Sequence, residues 1–200
     1  MTQNRTRRLV VIAMLSAIST LLMQFTEFPL LGPPLDFLKV EISIVPILFG
    51  LFIMGLSSAF VILLLRSLLY LLLFNAGASS MIGLPMNIVA LGLFVVFIHF
   101  LTKKSQPFTL LRFIVGGGLG TLALTLAMLV LNYFYAIPMY EIFANFRLEY
   151  IGMTRVDYLL VGVLPFNLLQ GAILTVLSVS ILSPMRKMIA QENLRYMKNK

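Results

Sequence analysis

The sequence predicts an all-α integral membrane protein, a bundle of six membrane-spanning helices with cytoplasmic N- and C-termini. Three observations predict it. First, 60% of the 200 residues are hydrophobic, only 11% are charged, and the mean hydropathy is +1.01. A soluble domain carries about 45–50% apolar and ~25% charged residues, so this chain has too few polar side chains to cover a water-facing surface. Second, the charges punctuate the chain, leaving uncharged runs at 9–26, 42–65, 67–102, 113–140 and 158–185. Each reaches the ~18 residues that mark a spanning segment. Their length and their Leu, Met, Ala and Ile content suit helices better than barrel strands of ~10 alternating residues. Third, the basic residues sort to one side of the resulting topology.

The first element, about 8–26, follows Arg5, Arg7 and Arg8. That is also how a secretory signal begins, but no small-residue cleavage site precedes Glu27 and four more apolar runs follow, so it is expected to be a retained helix. Residues 42 to 102 suffice for about three spans of ~20 residues. Two breaks divide them, one over residues 54–58 and one over the Asn-, Gly- and Ser-containing stretch 75–83. The helices expected there are about 42–54, 57–74 and 84–102, followed by 112–136 and 158–182. The 42–54 helix is short, since 13 residues rise only ~20 Å against a ~30 Å hydrocarbon core.

Charge supports counting it. With six spans, one side collects Arg5, Arg7, Arg8, Lys103, Lys104, Arg112, Arg186, Lys187, Arg195, Lys198 and Lys200, and the other only Lys39, Arg147 and Arg155. Omitting the short helix would put the Arg-rich N-terminus outside, against the positive-inside rule. The termini are therefore expected in the cytoplasm, and the protein in the cell membrane as a multi-pass chain. Residues 1–200 form one domain, with no internal repeat. The longest connections, 27–41 and 137–157, fall outside, and their aromatics (Phe28, Phe37, Tyr140, Phe143, Phe146 and Tyr150) suit loops that fold over something flat.

Composition excludes several functions. No stretch is mixed enough for a soluble catalytic or nucleic-acid-binding module. Without cysteine, and with His99 as the single histidine, no disulfide, metal site or cofactor is expected. No Ser/His/Asp set, Glu-x-x-His motif or paired intramembrane carboxylates supply a general base beside a nucleophile, so the chain does not read as an enzyme. It also has no phosphate-binding loop, because Gly116-Gly117-Gly118-Leu119-Gly120 opens a hydrophobic helix and reads as close helix packing. Uphill transport would therefore need a partner to supply the energy.

Polar groups inside a bilayer are costly and mark function. Asn87, Asn132, Asn167 and Gln170 all fall in the outer half of the bilayer, with Asn167 and Gln170 three apart on one helix face. Such carboxamides serve either as interhelical glue or as a site for a planar, neutral ligand with imide or urea edges. Four at one depth under aromatic loops favour the site. Pro85 and Pro165 beside them can free backbone groups to line a cavity. Arg66 lies deeper, and either pairs with Glu41 or a helix end, or snorkels toward water. In the first helix Ala13 and Ala17, with Ser16 and Ser19 nearby, make a small-residue face for tight helix contact, internal or with another protein.

Four segments carry a resemblance: Ala13-Met-Leu-Ser-Ala17 in the first helix, Phe37-Leu-Lys-Val-Glu41-Ile-Ser after the first outer loop, Leu131-Asn132-Tyr-Phe-Tyr-Ala-Ile-Pro138-Met-Tyr140, and Leu164-Pro-Phe-Asn167-Leu-Leu-Gln170-Gly171. Together they resemble the riboflavin-specific substrate-binding subunit of energy-coupling factor transporters, along nearly the whole chain. The resemblance implies a six-helix subunit that captures riboflavin outside. Such a subunit joins a membrane coupling protein and two cytoplasmic ATPases, and topples in the bilayer to deliver the vitamin inward. It further implies that Ala13 and Ala17 dock the coupling protein, and that Leu38, Lys39, Val40, Glu41, Asn132, Asn167 and Gln170 contact the flavin. Many members carry Lys where this chain has Gln170, so a charge-assisted contact would become a neutral one. The alternatives are the same kind of subunit for pantothenate or another vitamin, and a non-transport membrane bundle.

Overall fold

The computed structural model describes residues 2–103 and 107–198. Lys104 and Lys200, two of the cations expected at the cytoplasmic side, lie outside the described residues. The chain is almost entirely helical: α1 Thr2–Phe25, α2 Ile44–Met54, α3 Leu56–Leu73, α4 Ala78–Thr102, α5 Leu110–Leu131, α6 Ile137–Phe143, α7 Arg155–Asp157 and α8 Leu164–Lys198. A two-residue antiparallel ladder, β1 Phe28–Pro29 with β2 Lys39–Val40, closes the long connection between α1 and α2. Among the described residues, five stretches are long and apolar enough to cross a membrane: Arg5–Phe25, Leu56–Leu73, Ala78–Thr102, Leu110–Phe143 and Arg155–Tyr196.

α2 is a shorter apolar helix. Its 11 residues rise about 16 Å, and nine of them are buried among α1, α3 and α8. Uniformly apolar composition thus reflects burial on every side rather than exposure to lipid. The expected break after it narrows to Gly55, whose φ of 91° turns the chain directly into α3.

Several boundaries differ from those the sequence suggested. α4 begins at Ala78, six residues early: the Ser80 hydroxyl accepts the Ala76 N–H (2.8 Å) and Asn75 accepts that of Gly77 (2.9 Å), so the polar stretch fixes the turn that leads into the helix instead of breaking it. Pro85 lies inside that helix. Residues 137–143, expected in the outer loop, continue the fifth helix as α6 through a π-helical turn at Asn132–Ala136. α1 starts at Thr2 instead of residue 8. α8 does not stop at 182; it passes Pro184 to Lys198, because Ile189 is buried and Asn193 donates to the Phe52 and Ile53 carbonyls (3.1 and 3.0 Å) that end α2.

The glycine-rich segment packs helices, as its composition suggested. A Cβ on Gly116 or Gly120 would meet the α4 backbone at Ile98 or Phe94, within about 3 Å, and one on Gly117 would strike Thr175 of α8. Gly171 of α8 faces Thr121 in the same way. α5 is therefore held between α4 and α8 at backbone distance.

The bundle has two distinct ends. At one, Arg7 of α1 pairs with Glu192 of α8 (2.9 Å), and Phe108, just before α5, stacks on Phe52 of α2 (4.6 Å). At the other, Lys39 pairs with Glu27 (2.8 Å) and Arg155 with Glu141 (3.2 Å).

Candidate functional site

A cavity of about 380 Å3 opens where the α1–α2 connection meets the kinked regions around α6 and α7. That volume lies within the range of small-molecule sites. Its walls are mostly apolar and aromatic: Phe37 from the connection before β2, Ala136, Ile137 and Tyr140 around α6, Phe146 and Leu148 beyond it, and Tyr158. Ser79 of α4 and Asn132 add polar groups.

Two π-helical turns shape this wall, Asn132–Ala136 and Tyr158–Val163. Each ends two residues before a proline, Pro138 and Pro165. A proline in a helix lacks an N–H and its ring collides with the carbonyl four residues back; a wider turn just before it relieves both. The prolines thus do more than free backbone groups, because they move the side chains that begin each turn.

Those side chains meet. The Asn132 carboxamide donates through Nδ2 to the Met128 carbonyl (2.8 Å), and its Oδ1 accepts from the Tyr158 hydroxyl (3.3 Å). Both residues are buried, and the Tyr158 ring stacks on Phe37 (6.2 Å between centroids, 29°). Asn167 repeats the pattern, donating to the carbonyl four residues back, that of Val163 (2.7 Å).

Of the four carboxamides expected to converge, only Asn132 is among the lining residues. Asn167 and Gln170 are buried on the first two turns of α8, outside that lining. Asn87 belongs to another group altogether. Its Oδ1 accepts from Arg66 and its Nδ2 lies 3.5 Å from Glu41. Arg66 is 0% exposed and pairs with Glu41 (3.1 Å), with Ser43 as a further acceptor, so the pairing alternative holds and the snorkelling one does not. The second Glu41 oxygen accepts the Ser43 N–H, leaving that carboxylate committed inside the protein.

The loop segment divides by residue. Val40 is buried, and Leu38 packs against the hydrophobic core. Lys39 is exposed, and its hydrogen bond to Glu27 holds the ammonium pKa above the ordinary lysine value. Among the loop aromatics, Phe37, Tyr140 and Phe146 line the cavity, whereas Phe28, Phe143 and Tyr150 are exposed. Sequence reasoning missed Tyr158, Ser79 and Leu148. Tyr158 carried a signal, as a tyrosine opening an apolar run seven residues before Pro165.

The expected small-residue face of α1 splits in two. Ser16 and Ser19 are buried, with Ser19 donating to the Ser43 carbonyl (2.7 Å), whereas Ala13 and Ala17 face outward beside exposed Met14, Ile18 and Leu21.

A sequence model of the family described as "ECF transporter, substrate-specific component" matches residues 7–182. The chain belongs to this family. Relatives of this S component agree. One named "Riboflavin transporter RibU", from Streptococcus thermophilus, is 51% identical over 187 residues, covering 93% of this chain and 86% of the relative. Another of that name, from Lactococcus lactis subsp. cremoris, is 48% identical over 84% of this chain and 87% of its own. "Riboflavin transporter FmnP" of Bacillus subtilis is 30% identical over 94% and 96%. A solved structure described as "Structure and mechanism of the S component of a bacterial ECF transporter" superposes with a TM-score of 0.73 at 25% identity, covering 92% of this S component and 98% of that chain.

Proposed function

We propose that this S component is the riboflavin-capturing membrane subunit of an ECF uptake transporter, working with a membrane coupling protein and two cytoplasmic ATPases. The observation that carries the reading is 51% identity along 93% of the chain to a protein named for riboflavin transport. The aromatic cavity with a carboxamide in its wall suits a flat ring bearing an imide edge. Capture takes place at the end that holds the cavity. The subunit carries no catalytic role, and riboflavin is its cargo, not a cofactor.

The topology that serves this function is six crossings with both termini in the cytoplasm. Contact between Arg7 and Glu192 supports an even number of crossings, and the Asn193 bonds to the end of α2 support counting that helix as one of them. The end near Arg7 also carries Lys103, Arg186, Lys187 and Arg195, as the positive-inside rule requires of a cytoplasmic face.

The test is a purified preparation. It should be yellow or bind riboflavin stoichiometrically, release a flavin spectrum on denaturation, and gain thermal stability in excess riboflavin, by about 2.7 kcal/mol at one hundred times Kd. A protein stabilised by pantothenate and indifferent to riboflavin would favour the other vitamin.

We also assign flavin contacts to Asn132, Asn167 and Gln170, with the segment Leu38 to Glu41 supporting the ring. Asn167→Leu removes donor and acceptor at roughly constant volume. It should cost about 1–3 kcal/mol of riboflavin affinity, roughly fivefold to 150-fold in Kd, read by fluorescence quenching. Wild-type affinity in the Leu variants of all three residues would remove the site. Asn87, bound to Arg66 and Glu41 at the base of that segment, acts on the ligand only through its position.

A further inference from the structure

We infer that Tyr158 is a specificity-determining residue, which with Asn132 reads the imide edge of the flavin ring; the inference rests on the riboflavin reading above. A backbone carbonyl can only accept, so the 2.8 Å contact with the Met128 carbonyl requires Asn132 to point its Nδ2 there. Its Oδ1 must then face Tyr158, and the hydroxyl at 3.3 Å is the donor. The orientation of the carboxamide is therefore set before any ligand arrives, at a site where both residues are buried and both line the cavity.

Counting the remaining valences defines what fits. Asn132 keeps one N–H and one Oδ1 lone pair, and the Tyr158 oxygen keeps its acceptor lone pairs. An imide offers a carbonyl acceptor beside an N–H donor. The Asn132 N–H takes the carbonyl, and the imide N–H finds its acceptor in the Tyr158 oxygen, whose own proton is committed to Asn132 Oδ1. Donation from Tyr158 to Oδ1 also polarises the carboxamide and strengthens its N–H as a donor. Stacking of Tyr158 on Phe37 holds the hydroxyl in place without using it, and Phe at position 158 would keep that packing.

The two turns explain why this pair exists. Asn132 opens one π-helical turn and Tyr158 opens the other. The two turns also pack against each other in the fold.

The experiment measures Kd for riboflavin and for riboflavin methylated at the imide nitrogen, on the full-length wild-type protein and on Tyr158→Phe. Wild type should prefer riboflavin. Tyr158→Phe should lose about tenfold in riboflavin affinity and stay within about twofold for the methylated flavin, collapsing the discrimination between them. A role only in shaping the cavity would weaken both ligands by the same factor, and that result, or no change in either, overturns the inference while riboflavin binding by the wild type stands. A wild type that binds neither flavin overturns the riboflavin reading and this inference with it. An unchanged melting temperature of ligand-free Tyr158→Phe confirms that a lost preference is not lost fold; should it drop, Phe37→Leu, which loosens the Tyr158 ring but keeps its hydroxyl, must retain the discrimination.

Discussion

Ala13→Trp and Ala17→Trp are each expected to abolish riboflavin uptake by cells carrying the whole transporter, while the isolated subunit binds riboflavin with unchanged affinity. Both alanines lie on the outward face of α1, and neither lines the cavity. Between exposed Met14, Ile18 and Leu21 they leave a shallow notch, four residues apart, into which a partner helix can press its backbone. An indole fills the notch and holds the helices apart, and in the absence of the partner it meets only lipid. The internal contacts of α1 run through Ile12, Ser16, Ser19 and Thr20, all buried, which is why binding should survive. Variants that lose binding or unfold would show that the face packs internally, and normal uptake would move the docking surface elsewhere.

The largest expected effect on stability is at Arg66. Arg66→Ala strands the Glu41 carboxylate, 7% exposed, without its counter-charge, a class of change that costs about 3–5 kcal/mol. It also removes the donor to Asn87 and Ser43, and so loosens the link between the α1–α2 connection, α3 and α4. The double variant Arg66→Met with Glu41→Gln removes both charges and keeps bulk, so its melting temperature in detergent should lie above that of Arg66→Ala. The penalty is for an unpaired buried charge and not for the absence of an ion pair. Equal melting temperatures for the single and double variants would mean that water or another group neutralises Glu41. The guanidinium Nε lacks a partner among the described residues, so the pair is not fully satisfied even in the native protein. That makes partial rescue by neutral residues the expected outcome.

What the chain determined alone is what depends on local sequence. A bilayer core ~30 Å thick forces apolar runs of ~20 residues, so long spans were legible once the Gly- and Ser-containing breaks at 54–58 and 75–83 were counted beside the charges, of which Arg66 falls inside α3 and divides no span. The glycines of 116–120 announced close packing because nothing else tolerates so little side chain in a helix. The family was legible in four short segments scattered along the chain. α2 was legible as a helix but not as a buried one, since an apolar helix looks the same whether lipid or protein surrounds it. The site was only partly legible, and the reason is geometric. A π-helical turn holds one extra residue, which rotates everything beyond it by about 100° relative to a regular wheel. Two such turns flank the cavity, so reading faces at 3.6 residues per turn could not tell that Asn132 would meet Tyr158; that Asn87, on the α-helix α4, would turn to Arg66 and Glu41 depended on how α3, α4 and the α1–α2 connection pack. Matching depth was visible in the sequence; azimuth around each helix, and the choice of partner for a buried charge 25 positions away, were decided only when the helices packed.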